Sequence, residues 1–201
     1  MSMASLEQKF QEAIWIGKAL FDRDKATGSS ANMSFLHEGK LYITGSGTCF
    51  GNLTREDFSV TDMKGEHLGG IKPSKELPLH KTLYDKTSSI QAVIHTHSFY
   101  STLWSCMNHE NEQDIIPEYT PYLKMKIGTI GLVPYGKPGS RKLFDFFAEK
   151  VNDSDGYILK NHGPVVGDKD LMSAFYALEE LEESARIAWE LRNENANLIE
   201  E

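Results

Sequence analysis

The sequence predicts a single α/β domain in which a central mixed or antiparallel β-sheet is flanked by helices. Three observations predict it. Helical and strand-like periodicities alternate along all 201 residues without an internal repeat. No Pro-, Gly- or Ser-rich linker divides the chain, so residues 1–201 read as one domain. A hydrophobic content of 40% with 25% charged residues is that of a globular chain able to bury one full core.

The elements follow in order. Residues Ser5 to Arg23 carry Leu6, Phe10, Ala13, Ile14, Gly17, Leu20 and Phe21 at helical spacing, and Ser5 with Gln8 forms a capping-box signature. A Gly/Ser-rich turn at 27–32 leads into a strand from Met33 to His37. Glu38-Gly39 and the β-branched, aromatic run Leu41 to Thr44 complete a hairpin. Strands near Phe58 to Thr61 and His67 to Ile71 extend the sheet. The segment Lys72 to Asp85 reads as helical, with Glu76 in its first turn behind Pro73-Ser74. Gln91 to His95 is apolar and β-branched enough for a buried strand, and Phe99 to Met107 follows as a helix. Tyr119 to Tyr122 and Ile127 to Val133 read as loop and strand. Arg141 to Val151 forms an amphipathic helix, Gly156 to Lys160 and Pro164 to Gly167 form strands, and Leu171 to Leu191 forms the longest helix. Its acidic run, Glu179-Glu180-Leu181-Glu182-Glu183, reads as a solvated face.

Composition excludes several functions. A formal charge of −8 argues against a nucleic-acid partner, which needs Lys and Arg gathered on one face. No stretch approaches the roughly 20 apolar residues of a membrane span. The first ten residues lack a basic patch followed by an apolar run, and Cys49 and Cys106 are too few and too far apart for a disulfide framework. The expected location is the cytoplasm.

The chemistry concentrates around His95-Thr96-His97. Side chains two apart on a strand project from one face, so the two imidazoles are offered to one point. Seven histidines make one such pair unremarkable by itself, and a third ligand is needed. His162, in a turn forced by Gly163-Pro164 after an apolar run, is the best placed. Three histidines and an open position are the catalytic pattern for zinc and related ions. Glu76 adds a carboxylate that could ligate the ion or act as base, and His80, four residues on, shares its helix face as a supporting or packing histidine. The loop Thr44-Gly45-Ser46-Gly47-Thr48-Cys49-Phe50-Gly51 can wrap a phosphate with backbone NH groups, with Lys72 or Lys75 supplying positive charge. Together these suit formation of an enediolate in a small phosphorylated sugar.

Several short motifs stand at consistent positions: Ala31-Asn32-Met33-Ser34, Thr44-Gly45-Ser46-Gly47, Lys72-Pro73-Ser74-Lys75-Glu76, His95-Thr96-His97-Ser98 and Asn161-His162-Gly163-Pro164. With these the chain resembles the class II aldolase/adducin family from its first helix to Leu191. Thr120-Pro121-Tyr122, Met125-Lys126-Ile127-Gly128, Pro134-Tyr135, Pro138-Gly139 and Ala177 to Glu182 make it most similar to the 3-oxo-tetronate 4-phosphate decarboxylase branch. The resemblance implies that His95, His97 and His162 are metal ligands, usually for Zn2+, and that Glu76 is a base able to approach the metal. It implies substrate-phosphate contacts at Asn32, Ser46, Gly47, Ser74 and Lys75, and a homotetramer with sites at subunit interfaces. Members often show Thr-Pro-Thr-Gly where this chain has Thr44-Gly45-Ser46-Gly47. The family's aldolases also use a tyrosine from the C-terminal tail, and residues 193–201 contain none. Tyr122 is the candidate acid instead. The implied activity is decarboxylation of a 3-oxo-tetronate 4-phosphate to dihydroxyacetone phosphate and CO2 through a metal-bound enediolate. Aldol cleavage of a sugar phosphate, a related epimerase or dehydratase reaction, and a non-catalytic adducin-like scaffold are the alternatives.

Overall fold

The computed structural model describes residues 5–199. Eight strands form one mixed sheet: β1 (Asn32–His37), β2 (Lys40–Thr44), β3 (Phe58–Asp62), β4 (His67–Gly70), β5 (Ala92–His95), β6 (Ile130–Val133), β7 (Gly156–Leu159) and β8 (Gly163–Asp168). Their order across the sheet is β4-β3-β2-β1-β5-β8-β7-β6. Every pairing is antiparallel except β6 with β7. The helices are α1 (Leu6–Asp22), α2 (Leu77–Lys86), α3 (Phe99–Ser105), α4 (Tyr122–Lys126), α5 (Arg141–Lys150) and α6 (Leu171–Leu191).

Both faces of the sheet are covered, and the period-2 alternation of side chains divides the core in two. Phe35, Tyr42, Ala92, Ile94 and Ile158 pack with residues of α1, α3, α4 and α6 on one face. Leu41, Ile43, Val93, Tyr157 and Leu159 pack with α2 and α5 on the other. Helix α1 starts as its sequence predicts, with Ser5 accepting from the Gln8 amide and Gln8 answering at the Ser5 amide. The β1–β2 hairpin turns through Glu38 and Gly39, both at positive φ, which matches the twist of the strands it joins.

Three elements differ from the sequence reading. Helix α2 begins at Leu77, because Pro73 is held in a bridge to Gly45 and the chain stays extended until Ser74, which leaves Glu76 at the N-cap rather than in the first turn. Residues Tyr122–Lys126, divided in the sequence reading between a loop and an unassigned stretch, form the short helix α4. Glu182 is not part of a solvated face: it is 5% exposed on the buried side of α6.

Candidate metal centre and active site

The sheet order places the site. Strand β5 lies between β1 and β8, so Asn32 stands opposite His95 on one side and Val165 stands opposite it on the other. His95 is the last residue of β5, and His97 lies two residues past the strand end. His162 sits in the turn from β7 to β8, where Asn161 adopts a left-handed conformation that its short polar side chain tolerates. The three rings pack mutually, with centroids 4.7, 4.9 and 5.1 Å apart. One ligand atom from each lies within 4.8 Å of the others.

Hydrogen bonding fixes how His95 presents itself. Its Nδ1 lies 2.8 Å from the Pro164 carbonyl, which only accepts. Nδ1 therefore carries the hydrogen and Nε2 carries the lone pair. That lone pair faces the Glu76 carboxylate, with Nε2 3.3 Å from Oε2. His162 Nε2 stands 3.6 Å from Oε1 of the same group. Bare imidazole nitrogen against carboxylate oxygen is repulsive, and a cation between them removes the repulsion. The Nε2 atoms of all three histidines and Glu76 Oε1 are buried without a hydrogen-bond partner among the described residues, a costly arrangement that coordination of a divalent ion satisfies. The donor set fits a metal.

Electrostatics keep the ligands in the state coordination needs. Burial, then the charge of His97, pushes His95 down to about 3. Burial, then His95, pushes His162 to about 3 against the attraction of Glu76. His97 is lowered as well, chiefly by burial.

The model of the family described as Class II Aldolase and Adducin N-terminal domain matches residues 11–189. The chain belongs to that family. The 3-oxo-tetronate 4-phosphate decarboxylase of Escherichia coli (strain K12) is 40% identical over 186 residues, spanning 92% of this chain and 88% of the relative. The L-fuculose phosphate aldolase of Methanocaldococcus jannaschii is 39% identical over 177 residues, spanning 88% and 93%. The crystal structure of YgbL from Klebsiella pneumoniae superposes with a TM-score of 0.92 at 36% identity, over 96% of this chain and 94% of that one. As a member of the class II aldolase and adducin family, the protein is a divalent-metal-dependent carbon–carbon lyase.

The remaining predicted residues fall into two groups. The loop after β2 and the segment before α2 are stitched together: the Ser46 amide donates to the Lys72 carbonyl at 2.9 Å and the Ser74 amide to the Thr44 carbonyl at 3.3 Å. Ser46 and Gly47 are exposed there, Gly47 at φ +84°, while Ser74 is buried and its hydroxyl accepts from the Glu76 amide at 3.3 Å. Lys75 is exposed, and its charge reaches His97 and His162, helping to lower both. Asn32 is buried and donates from Nδ2 to Glu76 Oε2 at 3.0 Å. The structure thus joins Asn32 to the carboxylate as well as to the strand beside His95. Tyr122 is set apart from this constellation in the fold: it opens α4, which packs against α6, and is 59% exposed.

Sequence reasoning missed two contributors. The Pro164 carbonyl orients His95 and also accepts from the Thr96 amide at 3.3 Å; a backbone acceptor leaves no side-chain signal. Glu182 accepts from the amides of Tyr100 and Ser101 at 2.8 and 2.9 Å and from the Ser101 hydroxyl at 2.7 Å, capping α3 directly after His97-Ser98. Its signal was present, because Glu182 lies four residues after Leu178 and three before Ala185, in phase with the apolar stripe.

Proposed function

We propose that the protein decarboxylates a 3-oxo-tetronate 4-phosphate to dihydroxyacetone phosphate and CO2, with the whole chain acting as one domain. The observation that carries the site assignment is the Glu76 carboxylate lying against two histidine Nε2 atoms that have no hydrogen-bond partner among the described residues. The relatives of that activity, 34–40% identical, support the substrate.

His95, His97 and His162 would hold the ion, and three neutral imidazoles beside a carboxylate favour zinc over magnesium or calcium. When bound, the ion supplies Lewis-acid stabilisation of the negative charge that develops on the substrate's 3-oxo and 2-hydroxyl oxygens. The residues do the rest. Ser46, Gly47, Ser74 and Lys75 seat the phosphate, using the Ser46 and Ser74 hydroxyls, the exposed Gly47 amide and a cation on segments already bonded to each other, the Ser46 amide being spent on the Lys72 carbonyl. Asn32 holds Glu76 and can offer its second amide hydrogen to a substrate oxygen. The bond between the C1 carboxylate and C2 breaks, its electron pair passes toward the C3 oxygen, and CO2 leaves. C2 then gains a proton. Glu76 exchanges protons with the C2 hydroxyl; Tyr122, which lies apart from the histidines within one chain, is the candidate acid at C2 as a residue supplied by a neighbouring subunit of the proposed tetramer, tested by Tyr122→Phe.

Aldol cleavage of a longer sugar phosphate is the second reading, favoured by the Methanocaldococcus aldolase relative. Both reactions leave the electron pair of a broken carbon–carbon bond in the same place. The deciding experiment couples dihydroxyacetone phosphate release from each stereoisomer of 3-oxo-tetronate 4-phosphate to a reductase, with and without a chelator. Chelator-sensitive product is expected; no product from metal-loaded protein refutes decarboxylation and leaves aldol cleavage to be assayed.

A homotetramer is the proposed assembly, supported by exposed Trp15, Phe99, Tyr122, Met125 and Tyr176. The cytoplasm is the proposed location, supported by two free cysteines. No helix among the described residues is long and apolar enough to cross a membrane.

A further inference from the structure

We infer that His80 is a positioning residue: its Nε2–H holds the Asn32 amide with the nitrogen toward Glu76, and Ser34 and Tyr84 hold His80 in that tautomer. The inference deepens the proposed reaction and rests on reading Glu76 as the site's proton-transferring carboxylate.

Two periodicities bring the groups together. Glu76, His80 and Tyr84 are spaced by four and run as one stripe from the N-cap along α2, while Asn32 and Ser34 are spaced by two on one face of β1. The stripe lies against that face and forms an unbroken chain. Asn32 Nδ2 is 3.0 Å from Glu76 Oε2, His80 Nε2 is 2.5 Å from Asn32 Oδ1, Ser34 Oγ is 2.7 Å from His80 Nδ1, and the Tyr84 hydroxyl is 2.6 Å from Ser34 Oγ. All five residues are buried.

Chemistry gives this chain one direction. An ionised carboxylate only accepts, so the Asn32 nitrogen faces Glu76 and the Asn32 oxygen faces His80. His80 Nε2 must then carry a hydrogen, which leaves Nδ1 of the neutral ring to accept from the Ser34 hydroxyl. Ser34 has spent its only hydrogen, so Tyr84 donates to it. Burial keeps the imidazole and the phenol of this chain neutral, as the direction requires, lowering His80 to about 3 and raising the Tyr84 hydroxyl.

The consequence lies at the carboxylate. If Asn32 turned over, its oxygen would stand about 3 Å from Glu76 Oε2, two acceptors facing each other in a site without bulk water. Glu76 would leave its place beside His95 and His162. The second Asn32 amide hydrogen has no protein partner among the described residues, so the same lock also aims a donor for substrate. His80 thereby sets the base and one substrate contact together, acting through Asn32.

The test uses metal-loaded full-length protein. Nitrogen-15 NMR of histidine-labelled protein is expected to show His80 protonated at Nε2 and bare at Nδ1, a readout independent of turnover. His80→Leu is expected to keep its metal content and lose about 10–100-fold in kcat, with KM changed less than about threefold. His80→Gln can donate and accept from similar positions and is expected to recover most of that loss. Ser34→Ala removes the donor that fixes the tautomer, and should lower kcat and populate the Nδ1–H form. An Nδ1–H ring in the wild type, a folded, metal-replete His80→Leu with normal kcat, or a Gln variant no better than Leu overturns the inference. Should His80→Leu not fold, a Ser34→Ala protein with normal kcat and unchanged tautomer overturns it equally. If the decarboxylase reading fails instead, the wild type itself does not turn over the tetronate phosphate, while the ring tautomer is still read.

Discussion

Replacing Glu182 tests whether the metal centre depends on a carboxylate that lies outside it. Glu182 accepts three hydrogen bonds from the first turn of α3, two from backbone amides and one from the Ser101 hydroxyl. The helix has no substitute, since Ser98 at its N-cap makes no side-chain capping bond. Each bond to a charged acceptor is worth about 1.5–3 kcal/mol, and a buried amide stranded without a partner costs about 1–3. Because these values do not add in full, Glu182→Ala should cost about 3–5 kcal/mol, at the upper end of single substitutions. Glu182→Gln keeps one acceptor oxygen but sets an NH2 group against a donor, and should cost about 1.5–3 kcal/mol. The damage should travel inward, because α3 begins one residue after His97-Ser98. Its Thr102 hydroxyl also donates to the His162 carbonyl at 3.2 Å, and its Ser105 carbonyl accepts from the Asn161 amide at 3.4 Å. Loosening the first turn therefore loosens two of the three imidazoles, and divalent-metal affinity should fall by about 10–100-fold. Urea unfolding of metal-free protein, read as a midpoint shift at constant m-value, measures the first effect. Competition with a chromophoric chelator measures the second. A Glu182→Gln protein with both quantities unchanged would refute the capping argument.

Other expectations follow from the same geometry. In the metal-free protein His80 titrates at about 3, against 6.5 for a free imidazole, because burial disfavours its charged form. The unfolded chain therefore takes up this proton first as pH falls, so the associated stability is complete above pH 6.5 and is lost toward pH 3 at up to about 1.4 kcal/mol per pH unit. Urea unfolding from pH 7.5 to 4.5 should show this slope added to those of His95, His97 and His162, which burial also lowers, and the total should be shallower in His80→Gln by up to about 1.4 kcal/mol per pH unit; an identical slope refutes it. Glu76→Ala should reduce turnover by at least about 100-fold, within the range of a general acid–base group, while chelator competition still finds metal bound through the histidines. Normal turnover would remove Glu76 from the reaction. A Cβ added at Gly163 would stand 2.3 Å from the Thr96 carbonyl oxygen, between His95 and His97. Gly163→Ala should then cost about 1–3 kcal/mol by overpacking and weaken metal binding, whereas unchanged thermal stability would show that the strands yield there freely.

What could be read from the chain depended on how local each signal was. His95, His97 and His162 stand in short segments whose apolar runs end at Gly, Pro or Ser, so strand ends and turns could be placed from neighbours alone. The partners of those histidines are not local. Asn32 meets His95 because β5 inserts beside β1, and Pro164 meets it because β8 returns on the other side. Strand pairing at that separation is decided by tertiary burial, which no window of sequence contains. Glu182 shows a different failure. Its place in the apolar phase of α6 was visible, but its acidic neighbours Glu179, Glu180 and Glu183 made the whole run look like one solvated face. A buried carboxylate is stable only with donors to receive, and here they are the free amides of a helix packed across it. The informative question for an acidic run is therefore which member falls in the apolar phase, because that residue must be answered by a donor elsewhere in the fold. The same reasoning applies to the spacing of Glu76, His80 and Tyr84. Three polar groups four apart along one helix, on the side that carries Leu79 and Leu83 into the core, must be answered by polar groups on whatever they pack against. Asn32 and Ser34, two apart on β1, are that answer.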